Sequence, residues 1–491
     1  MMTIFGLDVG SSGCKCVAFS EDGKEICSDY EEYTHLPGTP NLCPHTLKNA
    51  VFKVIKSCVD KLENSKAVSA IAVSSFGESF VPLDKKGNPI SDIVMYYVDS
   101  PGDSFNRVVD SVGPDKIMEI TRAKPVTMYS LAKILPILDS NSADVWKFLE
   151  IADYIVWCLS GETVTDFSLA TRTLLFDIKK LMWSDQLLAA AGVKEEMLAT
   201  PMKSGSIAGK LSHGAAAQLG LEDTVNVVIC GQDQVTNAIG AGVFEEGDAV
   251  DGNGTVECIT PIFKKMPELE FTNHNYVTVP YLDEKSYVTY AFNFTGGALL
   301  KWYRASFGIE HCGSPGESFY DYMNRMCPEK PSDIIVVPHF QGAGGTPDVV
   351  REAKGIICGL DLTSNSHSIY RALLEGLSFE MKYNLETINR FGIHPKRIFA
   401  SGGGAKSAQW LQIKADIWDC EIIPLLTEEA GAQGAAIMAA ATLNKESFVT
   451  TAKRFIRYGA PVKQSDRFKE EYEKKYNLFK SIRGFSLSKM S

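Results

Sequence analysis

Asp8 closes the short apolar run Ile4-Phe5-Gly6-Leu7, and Gly10-Ser11-Ser12-Gly13 and Lys15 follow at once. Backbone amides in such a turn can bind an anion such as a phosphate. A carboxylate beside them can hold Mg²⁺ through water. An ordinary hairpin with a glycine turn accounts for the same residues. A second acid, Asp233, stands in Gly231-Gln232-Asp233-Gln234 after the apolar run Val225–Cys230. Placed there, with a glycine two residues before it, its carboxylate should project from a loop. It can equally be a helix N-cap, a place Asp favours. Two more glycine clusters follow strand-like runs, Gly252-Asn253-Gly254-Thr255 and Ser401-Gly402-Gly403-Gly404.

The elements that must carry these residues alternate between strand and helix, the pattern of an α/β fold. Thr3–Leu7 and Cys16–Ser20 read as a hairpin, His45–Leu62 as a helix and Ala70–Ser75 as a buried strand. Phe80–Asp84 is expected to pair with that strand, and helical periodicity resumes at Tyr129–Leu138 and Val145–Leu159. The second half restarts with a hairpin at Ala249–Asp251 and Val256–Thr260. It continues with a long helix at Ser366–Asn389, a strand at Arg397–Ala400 and a small-residue helix at Gly431–Ala441. Two halves that each begin with a hairpin around a glycine turn suggest an internal duplication. The chain has 491 residues, too many for one ordinary core, so two domains are expected, 1–245 and 246–491.

Bulk properties narrow the class. The chain is 45% hydrophobic and 22% charged, with a net charge of −11. No Lys/Arg-dense face or tail is evident, which argues against nucleic acid as a partner. No apolar segment is long enough for a membrane helix, and Met1-Met2-Thr3 has no basic stretch of the signal-peptide kind. The 12 cysteines include no CxxC pair and no repeated Cys/His spacing, so zinc and disulfide frameworks are not expected. Reduced thiols in a cytoplasmic protein fit better.

The four glycine and aspartate motifs, in this order, resemble the FGGY carbohydrate kinases of the actin, heat-shock chaperone and hexokinase superfamily. The resemblance extends to Thr165–Asp177, to Phe294-Thr295-Gly296-Gly297-Ala298, and to Gly355–Leu360 with Tyr370–Gly376. It implies two ribonuclease H-like, actin-like ATPase domains flanking a central catalytic cleft, with ATP and Mg²⁺ as cofactors. A sugar hydroxyl is a poor nucleophile, so phosphoryl transfer needs a carboxylate to take its proton and donors around the phosphates. Asp233 matches the catalytic base. Asp8 matches the residue that orients Mg²⁺ through water, with Ser11, Ser12, Gly13 and Lys15 at the transferring phosphate. Gly254 and Thr255 match the second phosphate turn, and Gly402, Gly403 and Ser407 the adenosine loop.

For substrate, Phe76, Gly77 and Glu78 occupy the family's sugar-binding loop, and Asp99 matches its second carboxylate; Asp233 also faces the sugar. The usual tryptophan before Asp99 is replaced by Tyr96-Tyr97, and the arginine often found after it is absent. A carboxylate-bearing substrate is therefore not favoured by this loop. The resemblance implies a small-molecule kinase acting on a ketose such as xylulose or ribulose. A polyol such as glycerol or a tetritol is the alternative, and a homodimer is one assembly open to it. Rival classes are a non-enzymatic ATP switch of the actin or chaperone kind, and a sugar-binding regulator without catalysis.

Overall fold

The structure is a computed structural model of the chain and describes residues 2–34, 38–98, 102–140, 145–283, 285–307 and 316–489. They form two compact units. Unit 1 comprises Met1–Gly242, Val277–Val288 and Glu429–Ile456, and unit 2 comprises Val243–Tyr276, Thr289–Glu428 and Arg457–Ser491.

Unit 1 is built on a six-stranded sheet of β1 (Thr3–Val9), β2 (Gly13–Ser20), β3 (Glu25–Glu32), β4 (Val68–Ser75), β5 (Ser206–Lys210) and β6 (Asn226–Gln232), in the order β5-β6-β4-β1-β2-β3. β1 is antiparallel to β2 and parallel to β4, and β6 is parallel to β4. The central strands are near-continuous apolar runs because helices cover them. One such helix is α1 (Pro44–Lys61), which buries Leu47, Val51, Val54, Ile55 and Cys58 at helical spacing. The register places Asp8 between Lys15 on β2 and Ser74 on β4. Strand β6 runs directly into α2 (Asp233–Ala241).

Unit 2 repeats the pairing. β7 (Asp248–Asn253) is antiparallel to β8 (Glu257–Phe263) and parallel to β10 (Arg397–Gly402). β8 carries the short β9 (Ala291–Asn293) on its other side, and β10 is followed by the parallel β11 (Glu421–Pro424). Helices α3 (Ser366–Asn389) and α4 (Ala408–Trp418) belong to this unit. The chain then returns to unit 1 as α5 (Ala430–Asn444).

That return has a packing cause. Helix α5 is buried on nearly every face, and its backbone lies directly on α2 and β1. A β-carbon at Gly6 would overlap the carbonyl of Ala432; one at Gly240 would overlap that of Ala430; one at Gly434 would overlap that of Thr236. Glycine on both sides of the seam lets the backbones meet.

Two expected elements come out differently. Val145–Glu150 is a strand, and the helix starts only at Ile151 and runs to Ser160. Glu150 caps that helix reciprocally with Asp153, which fixes where strand gives way to helix. Phe80–Asp84 pairs with Val145–Glu150 and not with β4, because β4 already has β1 and β6 on its two edges. Strand β3 was not expected, since Glu25–Glu32 is charged and mostly outside the core.

Candidate active site

In unit 1 the turn after β1 is closed by the Gly10 N–H donating to the Gly13 carbonyl, 2.9 Å. Ser12 is exposed and Ser11 half-buried, with the Tyr96 hydroxyl hydrogen-bonded to Ser11. Gly13 is explained by packing, since a β-carbon there would come within 2.6 Å of the Glu31 carbonyl on β3. Lys15 pairs with Glu429, the residue that precedes α5. Asp8 lies against the first turn of α5, with Gly431 leaving room; a β-carbon there would stand 2.8 Å from Asp8 Oδ2. Burial, and then the charge of Glu429, push the Asp8 carboxyl up to about 6 against the pull of Lys15.

Asp233 is the first residue of α2, not a loop residue as expected. Burial raises its carboxyl to about 8, helped by the charges of Asp8 and Glu78 and opposed by the Gln234 N–H and by Arg172. The strand-to-helix junction is held by side chains from Thr165–Asp177. Asp166 accepts from the Ser168 and Leu169 N–H groups and from the Ser204 hydroxyl. Ser168 Oγ in turn accepts from the Gln232 N–H, 2.9 Å. Gly231 has φ +102°, and a β-carbon on it would come 2.5 Å from Asp166 Oδ2, so only glycine serves here. On the other side, Ser74 and Thr236 hydroxyls share a hydrogen bond of 2.8 Å between β4 and α2.

Glu78 is buried and paired through Oε1 with Arg172 Nε and Nη2. The guanidinium also lies over the Tyr129 ring, 5.1 Å from its centroid. Gly77 leaves space for the Arg172 stem, 2.8 Å from a β-carbon. Phe76 is in the core, its ring 6.2 Å from that of Tyr96. The Tyr96 hydroxyl is pushed up to about 12, first by burial and then by Asp233. Asp99 lies outside the described residues. Arg172, Tyr129 and Glu429 were not singled out from the sequence. Arg172 stood within a quoted motif, but nothing local links any of the three to its partners.

In unit 2, Gly254 and Thr255 are exposed at the tip between β7 and β8. Their carbonyls accept from the N–H groups of Gly297, Gly296 and Ala298, docking the turn on the start of the helix Gly297–Ser306. Gly402, at φ +78°, closes over the Asn253 carbonyl, 2.5 Å from a β-carbon. A β-carbon at Gly403 meets nothing within 4 Å. Ser407 caps α4, accepting from the Trp410 N–H at 3.1 Å and donating to Asn324 at 2.9 Å. Phe294 is half-exposed, with its ring against Gly344. Among the described residues no group of three or more His, Cys, Asp or Glu is disposed to hold a metal, no cysteine is in a disulfide, and no helix is long and apolar enough to cross a membrane.

Residues 3–240 match the N-terminal domain model of the FGGY family of carbohydrate kinases, and residues 257–443 match its C-terminal domain. The chain is 24% identical over 498 residues to the xylulose kinase of Bacillus subtilis (strain 168), covering 98% of this chain and 97% of that one. The fold resembles the ligand-bound xylulose kinase from Lactobacillus acidophilus, with a TM-score of 0.89 at 20% identity over 100% and 99% of the two chains. It also resembles Plasmodium falciparum glycerol kinase with ADP, with a TM-score of 0.84 at 19% identity over 99% and 98%. The fold is thus that of the two-domain actin-like ATPases, and the chain belongs to the FGGY family of carbohydrate kinases.

Proposed function

We propose that this kinase transfers the terminal phosphoryl group of ATP to a hydroxyl of a neutral ketose, xylulose or ribulose, giving a sugar phosphate and ADP. The observation that carries the reading is Asp233 at the start of α2, its carboxyl raised to about 8 by burial and by Asp8 and Glu78. A base works best with a pKa near the operating pH. Asp233 takes the hydroxyl proton, while the Glu78–Arg172 pair presents a fixed carboxylate to the sugar; Phe76, Gly77 and Asp99 are assigned to sugar binding on the family resemblance. Ser11, Ser12, Gly13 and Lys15 serve the transferring phosphate. Gly254 and Thr255 serve the second phosphate position, and Gly402, Gly403 and Ser407 the adenosine. In this division residues 1–245 carry the sugar, the base and the first phosphate turn, and 246–491 carry the rest.

Asp8 fits a water-mediated Mg²⁺ ligand. Its carboxyl is raised by burial and then by the charge of Glu429, and a cation held mainly by nucleotide phosphates needs only one or two carboxylates. Held there through water, Mg²⁺ would supply positive charge against the negative charge that develops during phosphoryl transfer.

Arg172 is committed to Glu78 and to the face of Tyr129, which favours a neutral polyhydroxy substrate over an aldonate. The xylulose kinases among the relatives support a ketose; the glycerol kinase neighbour keeps a polyol as the second choice. An enzyme confined to small molecules suits the cytoplasm. A coupled ADP-release screen over pentuloses, hexuloses, aldonates and polyols tests this. A pentulose should raise ADP release far above the rate with water. Release that no sugar stimulates would favour an ATP switch.

A further inference from the structure

Beneath the Gly254–Thr255 turn lies a buried group of charges that the proposed reaction leaves unused. Asp251 on β7 and Glu257 at the start of β8 have 0% exposed side chains, and Lys414 on α4 has 1%. Lys414 Nζ is 2.8 Å from Glu257 Oε1 and is also paired with Asp251. Its ammonium sits 4.5 Å from the ring centroid of Trp410 and 5.0 Å from that of Trp418. Both indole N–H groups donate to Ser378 on α3, one to the hydroxyl at 3.2 Å and one to the carbonyl at 2.7 Å. The lysine is therefore fixed in an aromatic cage that has its own anchors.

Two carboxylates and one ammonium leave an excess negative charge away from water, which is costly unless one acid holds a proton. Burial pushes the Glu257 carboxyl up, Lys414 pulls it back and Asp251 pushes it again, to about 7. Burial works against the Lys414 ammonium, but the two carboxylates hold it above its usual range. Among the described residues, Lys414 and Asp251 are the charged groups that act most strongly on Glu257. β9 brings Asn293 opposite Glu257 and carries no charge. Lys406, in the short helical turn after β10, is exposed and paired with Glu428.

The trio and the turn share their framework. Asp251 and Glu257 stand on either side of the turn, and Glu257 is the cross-strand partner of Asn253. The Asn253 side chain packs under Gly404, where a β-carbon would come within 2.8 Å. Resting on the reading of Gly254 and Thr255 as a phosphate turn, we infer that Asp251, Lys414 and Glu257 position this turn, and that Glu257 takes a proton from solvent when the turn receives the nucleotide's phosphates. An anion arriving above the trio raises the energy of its excess negative charge. Protonating Glu257 leaves a neutral Asp251–Lys414 pair and removes the repulsion.

Titration calorimetry of ADP·Mg²⁺ near neutral pH, in buffers of different ionisation enthalpy, reads this uptake directly. The wild-type protein should take up a fraction of a proton more than Glu257→Gln. The nucleotide's phosphate and the carboxylates of unit 1 also titrate, and the difference between the two proteins at each pH removes them. Wild-type affinity should weaken roughly 3- to 10-fold more than that of Glu257→Gln as pH rises from about 6.5 to about 8.5. Asp251→Asn leaves Glu257 with Lys414 alone, so uptake should move to lower pH; this arm also serves if Glu257→Gln does not fold. Equal uptake and equal pH slopes in wild type and Glu257→Gln, or unchanged uptake in Asp251→Asn, would overturn the inference. Failure of the wild type to bind ADP·Mg²⁺ at all would instead sink the kinase reading, and the inference with it.

Discussion

At the scale of single residues, the proposed chemistry rests on two buried acids, of which Asp8 raises Asp233. Asp8 is pushed up to about 6 and Asp233 to about 8, each chiefly by burial. The base must be ionised to accept a proton. kcat/KM for the sugar should therefore rise with pH and level off above about 8, where the raised carboxyl has lost its proton. Asp233→Asn keeps the shape, removes the acceptor and should lower kcat by ~10²–10⁴-fold. The Kd for ATP·Mg²⁺, measured on the same preparation, should stay within a few-fold of wild type. A steep parallel loss of nucleotide affinity would place Asp233 at the metal instead. Gly403 offers a separate check on the adenosine loop. A β-carbon there meets no protein atom within 4 Å, so Gly403→Val should fold normally. Its KM for ATP should rise well before its KM for the sugar. These residues stood out in the sequence because each sits in a short motif. The Glu78–Arg172 pair did not, because its partners are 94 positions apart and only the fold joins them.

At the scale of elements, patterning revealed the hairpins and helices that are apolar on one face and missed those whose identity depends on a partner. Helix α3 is legible to the residue, since Ser366–Asn389 carries its own cap and periodicity. Val145–Glu150 continues an apolar run into a helix, and only its pairing with Phe80–Asp84 makes it a strand. Glu150 at that junction supports a stability prediction. Its carboxyl is buried, accepts from Ser130 at 2.6 Å, and is raised from 4.5 to about 8, chiefly by burial. The folded state then keeps a proton that the unfolded chain releases. Stability should fall as pH rises from about 4.5 to about 8, by up to ~1.4 kcal/mol per pH unit from this group. Glu150→Gln removes that slope, so its urea midpoint should gain on the wild type between about pH 5 and about pH 8. A constant gap between the two would show that Glu150 is ionised in the folded protein.

At the scale of the whole molecule, the sequence points to two contiguous α/β halves with a single crossing near residue 245. The crossing lies at Gly242–Val243, and later segments return to unit 1. No composition shift marks the return, because α5 looks like any small-residue helix until its backbone contacts are seen. A fragment of residues 1–245 lacks α5 and leaves the Gly6 and Gly240 surfaces uncovered. It should be poorly folded, with little cooperative thermal unfolding. Supplying residues 429–456 as a second chain should restore a melting transition. A cooperative, well-dispersed 1–245 fragment would show that α5 is dispensable for this fold.

The place of α5 in the chain also sets the order of events during synthesis. Ribosomes add about 5–20 residues per second, and domains emerging first usually fold first. Here Asp8 and Asp233 emerge early, yet the helix that packs on β1 and α2 is encoded after nearly all of unit 2. For on the order of tens of seconds, the nascent chain carries both acids on a scaffold with an open backbone seam. Premature termination anywhere before α5 yields a product with both acids present and the packing around them unfinished. Such a product, cut short before α5, is expected to go to chaperones and proteases rather than to supply partial activity.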